Sequence, residues 1–167
     1  MPFYSGSFLV ARPVLQDPNF ARTVVLLLRH SQEGAFGLVV NRPALVQGLA
    51  FPVYGGGPCQ AEGLMLLHGH EDWIGNPAER EDREVAPGIF LGDSAGLKRA
   101  TEAPPDEGLR FRVFTGYSGW GPGQLEAELG AGAWTIVGAA GPTLFDIPVE
   151  EIWERLIPPR IPQPSLN

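Results

Sequence analysis

Apolar residues in this chain come in short runs cut by glycine, proline and acidic residues, and most of the runs lack a helical period. Ser7-Phe8-Leu9-Val10-Ala11 ends at Arg12-Pro13 and predicts a first strand, followed by a turn at Asp17-Pro18-Asn19-Phe20. Residues 23–28 are continuously apolar and begin with β-branched side chains, which predicts a central strand covered on both faces. Glu33-Gly34 predicts the turn of a hairpin whose return strand, residues 35–40, stops at Asn41-Arg42-Pro43. Further on come Phe51-Pro52-Val53-Tyr54, a glycine corner Gly55-Gly56-Gly57-Pro58 and a strand over residues 64–68. Residues 69–86 read as a polar loop and 88–92 as another strand, with Asp93 or Ser94 able to cap a short helix over 95–100.

Strict alternation over residues 109–115 predicts a strand with one polar face, running into Gly116-Tyr117-Ser118-Gly119-Trp120-Gly121-Pro122-Gly123. That glycine-dense stretch reads as a strand-to-helix corner. Residues 122–129 then predict a helix with Pro122 at its first position and Gly130 just past its end. Residues 133–137 predict a strand, and 149–157 an amphipathic helix with Val149, Ile152, Trp153 and Leu156 as its apolar stripe. The expected architecture is α+β, with a mixed or mainly antiparallel sheet and a few short flanking helices. The expected organisation is a single domain over residues 1–157 and a Pro-rich tail over 158–167.

Composition narrows the function classes. The chain has 167 residues, a net charge of −7, one lysine (Lys98) and scattered arginines, which disfavours a nucleic-acid-binding face. The basic residues of 80–83 are diluted by Glu79, Glu81, Asp82 and Glu84 and read as a solvated loop. Cys59 is the only cysteine, so an intrachain disulfide and two-cysteine metal or redox motifs are excluded. No apolar run approaches the length needed to span a bilayer, and no signal-peptide pattern opens the chain, so a cytoplasmic location without membrane attachment is expected.

Several motifs invite chemistry. Gly116-Tyr117-Ser118-Gly119-Trp120 resembles a nucleophile elbow, but Trp120 stands where the turn needs a small residue. The spacing Gly119, Gly121, Gly123 before a helix suggests a phosphate cradle, yet Glu126 and Glu128 on that helix oppose an anion. His68 and His70, two apart in a strand, would share a face and could hold a metal, although hydrogen-bonded structural histidines fit as well. Asn41-Arg42-Pro43 at a strand end is either a terminator with Arg42 paired to an acid, or an anion or partner contact.

Taken in order, Gly6 to Ala11, Asp17 to Val24, Glu33 to Pro43, Tyr54 to Pro58, Leu67-His68, Gly116 to Glu126 and Gly132-Ala133-Trp134 resemble the AlgH/YqgE family of bacterial proteins. The resemblance implies one compact domain around a strongly bent mixed sheet, a pseudo-barrel, with a cytoplasmic location and no cofactor. It also carries the label of transcriptional regulator, without an established reaction. This chain departs from the pattern in a shorter segment between Pro43 and Phe51, in Cys59, and in Ser118 where alanine is common; the last argues against Ser118 as a nucleophile. The leading expectation is a non-enzymatic regulatory or accessory protein that binds a protein or a small-molecule ligand, with no catalytic or metal residues. Its surface would lie around Asn41, Arg42, His68, Trp120, Gln124 and Glu128, whose polar and amphipathic groups exceed what packing requires. The alternatives are a DNA-binding regulator, which the charge resists, and a hydrolase-like enzyme pairing His68 with an acid such as Glu128.

Overall fold

The computed structural model describes residues 3–44, 49, 51–60, 62–104 and 107–157. The expected tail at 158–167 and most of the shortened segment after Ala44 lie outside these residues. Strands β1 (Ser7–Ala11), β2 (Val24–Ser31) and β3 (Gly34–Val39) form where the apolar runs predicted them, and β2 and β3 pair as an antiparallel hairpin. Its two-residue turn is Gln32-Glu33, with Gly34 already in β3, one position earlier than the sequence reading placed it. The chain continues through β4 (Pro43–Ala44), β5 (Val53–Gly55) and β6 (Met65–His68). The stretch read as a polar loop holds the one-turn helix α1 (Arg80–Arg83) and a short strand β7 (Glu84–Ala86).

Strand β8 (Ile89–Leu91) leads into helix α2 (Ser94–Glu102), whose N-cap Asp93 accepts the Gly96 N–H through its side chain. Strand β9 (Phe111–Thr115) follows, then β10 (Ser118–Trp120), helix α3 (Gln124–Gly130), strand β11 (Trp134–Gly138), and the short helices α4 (Gly141–Phe145) and α5 (Ile152–Leu156).

The α+β class holds, and the strands divide between two sheets. The first runs β10-β3-β2-β1-β11, antiparallel throughout; the second runs β4-β5-β9-β6-β8-β7, with β5 and β9 parallel. They meet at Gly56, whose carbonyl accepts the Val39 N–H while its own N–H donates to Thr115. Among the described residues this seam joins the two sheets, and neither closes into a barrel.

Four layers result. Between the sheets lie Phe8, Val10, Leu26 and Leu38 of the first against Leu67, Ile89 and Phe114 of the second, with Leu144 and Ile152 joining them. Leu9, Val25, Leu27 and Val39 point to the other face of the first sheet, under Leu125 of α3 and the turn bearing Phe20. Val53, Leu66 and Val113 of the second sheet face Ala100 of α2. The unbroken apolarity of residues 24–28 in β2 follows from this sandwiching, because both faces are covered there, and each fully buried leucine contributes about 1.5–3 kcal/mol.

The glycine-dense stretch differs from its sequence reading. It is not a bare corner: β10 lies inside it, paired antiparallel with β3 at the edge of the first sheet. Pro122 precedes the helix and occupies the second position of a turn closed by Gln124 N–H to Gly121 C=O, with Gly123 at φ 77°, the arrangement of a type II turn. The helix runs through Gly130 and is closed at Gly132, with Gly132 N–H to Leu129 C=O and Ala133 N–H to Glu128 C=O forming a Schellman motif.

Candidate functional site

The hairpin's return strand delivers Asn41 and Arg42 onto the turn that precedes β2. Asn41 Oδ1 accepts the Val24 N–H at 2.9 Å and its Nδ2 donates to the Arg22 carbonyl at 3.0 Å. Arg22 sits at φ 59°, the one positive φ outside glycine among the described residues, so the Asn41 amide clamps a strained position. Arg42 Nη1 donates to the Asn19 carbonyl at 2.7 Å and Nη2 to the Ala21 carbonyl at 2.9 Å. The expected acid partner is thus replaced by two backbone carbonyls, which present the same paired acceptors to the guanidinium fork.

The clamped turn carries Phe20, which stacks on Trp120 at 5.8 Å and meets Trp134 edge-on at 5.6 Å. Glu128, one turn along α3 from Gln124, gathers the polar ends of this cluster. Its Oε1 accepts the indole N–H of Trp120 at 3.2 Å and of Trp134 at 2.9 Å, and its Oε2 accepts the Gln124 amide at 3.2 Å. Gln124 Oε1 in turn accepts the Gly121 N–H. Asn41, Arg42, Trp120, Gln124 and Glu128 therefore belong to one connected network, through residues 19–22.

His68 stands apart from it. It ends β6 opposite Phe111, where β9 begins, whereas the network approaches the far end of β9 through Gly55, opposite Thr115. The ring is 2% exposed, stacked with Phe90 at 5.7 Å and beside Trp73 at 5.0 Å. Its Nδ1 accepts the His70 N–H, and His70 Nε2 accepts the Arg110 N–H at 2.9 Å. Burial, aided by the neighbouring His70, lowers His68 to about 4; burial lowers His70 as well. The pairing of His68 with Glu128 considered for a hydrolase is thus not made. The Ser118 hydroxyl is 0% exposed and donates to the Gly56 carbonyl, so it is spent inside the seam between the sheets.

An accessible feature lies beside Arg42. Two open depressions, of about 220 and 340 Å³, share Gly55, Gly57 and Pro58; the first adds Asn19 and Arg42, the second Cys59, Gln60 and Thr115. Gly57 is demanded by the fold: at φ 150° a Cβ would lie 2.2 Å from Ser118 Oγ and 2.3 Å from the Tyr117 carbonyl oxygen. Gly55 is not, since a Cβ there meets nothing nearer than 3.9 Å. The sequence signal for this floor was Tyr54-Gly55-Gly56-Gly57-Pro58, which reads as a corner until the structure separates the packed glycines from the open one.

A second polar centre carries no sequence signal beyond the presence of an imidazole. His30 is buried, its Nδ1 accepting the Tyr4 N–H at 3.1 Å and its Nε2 bonded to Glu126 in the first turn of α3. This bond from His30 holds the Glu126 carboxyl below the usual carboxylate range.

A two-sheet α+β protein with a glycine-floored groove at the seam, and no helix among the described residues long and apolar enough to cross a membrane, is the class that fold and site define. The chain belongs to the AlgH-like family, whose profile matches residues 8–159. A UPF0301 protein of Anaeromyxobacter dehalogenans (strain 2CP-1) is 38% identical, covering 90% of this chain and 84% of the relative. Another UPF0301 protein, from Anaeromyxobacter sp. (strain Fw109-5), is 40% identical over the same shares. The solution structure of the AlgH protein from Pseudomonas aeruginosa superposes with a TM-score of 0.69 at 30% identity, covering 93% of this chain and 88% of that one. A crystallised protein of Corynebacterium diphtheriae shares the fold at 23% identity, with a TM-score of 0.69.

Proposed function

We propose that this chain is a non-enzymatic regulatory or accessory protein of the cytoplasm, and that it binds a protein partner by taking an extended segment of it into the groove beside Arg42. The observation that carries this reading is Gly55. A glycine in a strand weakens it unless a bulge or a close backbone approach calls for one. Packing does not demand this one, and it lines both depressions, so its missing side chain leaves room for something outside the fold. Pro43 and Pro58 give the groove stiff walls that offer no N–H, while Asn19, Arg42, Gln60 and Thr115 supply polar groups along it.

Arg42 has donors beyond the two given to carbonyls, and its position is fixed by those bonds. In a chain of net charge −7, such a held cation favours a ligand that brings a carboxylate to that end of the groove. The non-enzymatic part of the reading is supported by the burial of Ser118 and the separation of His68 from Glu128, which leave the nucleophile and base considered from sequence without each other.

Selection from a displayed library of linear peptides tests the reading. Peptides enriched on the wild-type protein should lose binding to Gly55→Leu, which fills the groove, while the melting temperature stays within a few degrees. Enriched peptides that bind Gly55→Leu unchanged, or a failure to enrich any, would overturn it.

A further inference from the structure

The four sheet edges are guarded unequally. β4 is two residues long and opens with Pro43; β7 is three residues long, carries Glu84 and shifts register before Ala86. β10 is three residues long, and Tyr117 just before it is bridged to Cys59. Shortness, proline, charge and bulges are the means by which β-proteins blunt their edges. β11 has none of them. Its five residues keep unbroken register with β1, from Trp134 opposite Ala11 to Gly138 opposite Ser7. No charged residue occurs between Glu128 and Asp146.

The bond from Arg12 N–H to the Ala133 carbonyl fixes which backbone groups face where. The Ala133 carbonyl and both backbone groups of Thr135 and Val137 turn toward β1, so Trp134, Ile136 and Gly138 turn theirs outward. Among the described residues those outward N–H and C=O groups have no hydrogen-bond partner, and the side chains of Thr135, Ile136 and Val137 are only half-buried.

We propose that the β11 edge is a self-association surface, pairing antiparallel with β11 of a second copy of this chain about a twofold axis at Ile136. In that register Ile136 lies opposite its own copy and Trp134 opposite Gly138, so every outward N–H and C=O of both strands is satisfied. Two acidic chains can meet there because the contact itself is uncharged, and the repulsion of their net charges is screened by salt.

Sedimentation equilibrium of the intact protein, from low to high micromolar concentration, tests this together with amide exchange. The expected result is a monomer–dimer equilibrium that tightens with added salt, with the Trp134, Ile136 and Gly138 amides protected in the dimer only. A Cβ at Gly138 meets nothing within 4 Å, so Gly138→Lys should fold normally and raise the dimer dissociation constant roughly tenfold or more, while Gly138→Ala leaves it unchanged. A chain that is monomeric throughout, a dimer indifferent to Gly138→Lys, or outward amides equally exposed in monomer and dimer would each overturn the proposal.

Discussion

Glu128 holds three side-chain donors on one carboxylate, two of them from tryptophans that are 4–5% exposed. Removing it strands two buried indole N–H groups, each of which costs about 1–3 kcal/mol when left without an acceptor. Glu128→Ala should therefore destabilise the protein by about 2–4 kcal/mol in urea unfolding, with Glu128→Gln recovering part of the loss through its amide oxygen. A loss under about 0.5 kcal/mol for the alanine variant would refute this account of the cluster. Sequence picked out Glu128, Gln124 and Trp120 as residues whose chemistry exceeds packing, and could not show that they satisfy one another. Arg42 carries the same lesson, because a guanidinium fork fits two carbonyls as well as one carboxylate, and its residue type does not record which it meets.

At the scale of elements, Gly55, Gly56 and Gly57 look alike in sequence and differ in what surrounds them. Gly57→Ala forces a Cβ into the Ser118 hydroxyl and the Tyr117 carbonyl at a backbone angle that alanine resists, and should cost about 2–3 kcal/mol or more. Gly55→Ala should stay within about 0.5 kcal/mol of wild type. Equal effects at the two positions would show that the groove floor is set by packing alone. The strands β1, β2 and β3 were legible because apolar runs report burial directly. β10 was not, since Ser118-Gly119-Trp120 is three residues with a glycine at its centre, too short to show a strand pattern, and forms a strand where β3 pairs with it. Pro122 was legible as a helix-proximal residue, but a type II turn and a first helical position both accept it, and Gly123 decides between them.

At the scale of the whole molecule, His68 and His70 contribute to the response to acid. His68 falls from 6.5 to about 4 on folding, so below about pH 6.5 the unfolded chain takes up a proton that the folded one refuses. Stability is lost as the pH drops through that window, by about 3 kcal/mol once it is crossed. His70 acts in the same direction. Glu126, held low by His30, adds a contribution present above the ordinary carboxylate value and lost as the pH falls through its lowered one. Urea titrations of His68→Gln should give a stability curve flatter than wild type between pH 6.5 and 4; parallel curves would exclude His68 as the cause.

The placement of β1 between β2 and β11 has a consequence in time as well as in space. The β2 neighbour of β1 is near in the chain, but β11 and Trp153, whose indole N–H donates to the Ala11 carbonyl, come more than a hundred residues later. During synthesis one side of β1 must therefore wait for nearly the whole polypeptide to emerge before its ladder can close. A strand that belongs to the first few residues made becomes one of the last to be finished, and the nascent chain carries that open edge until residue 138 has been made.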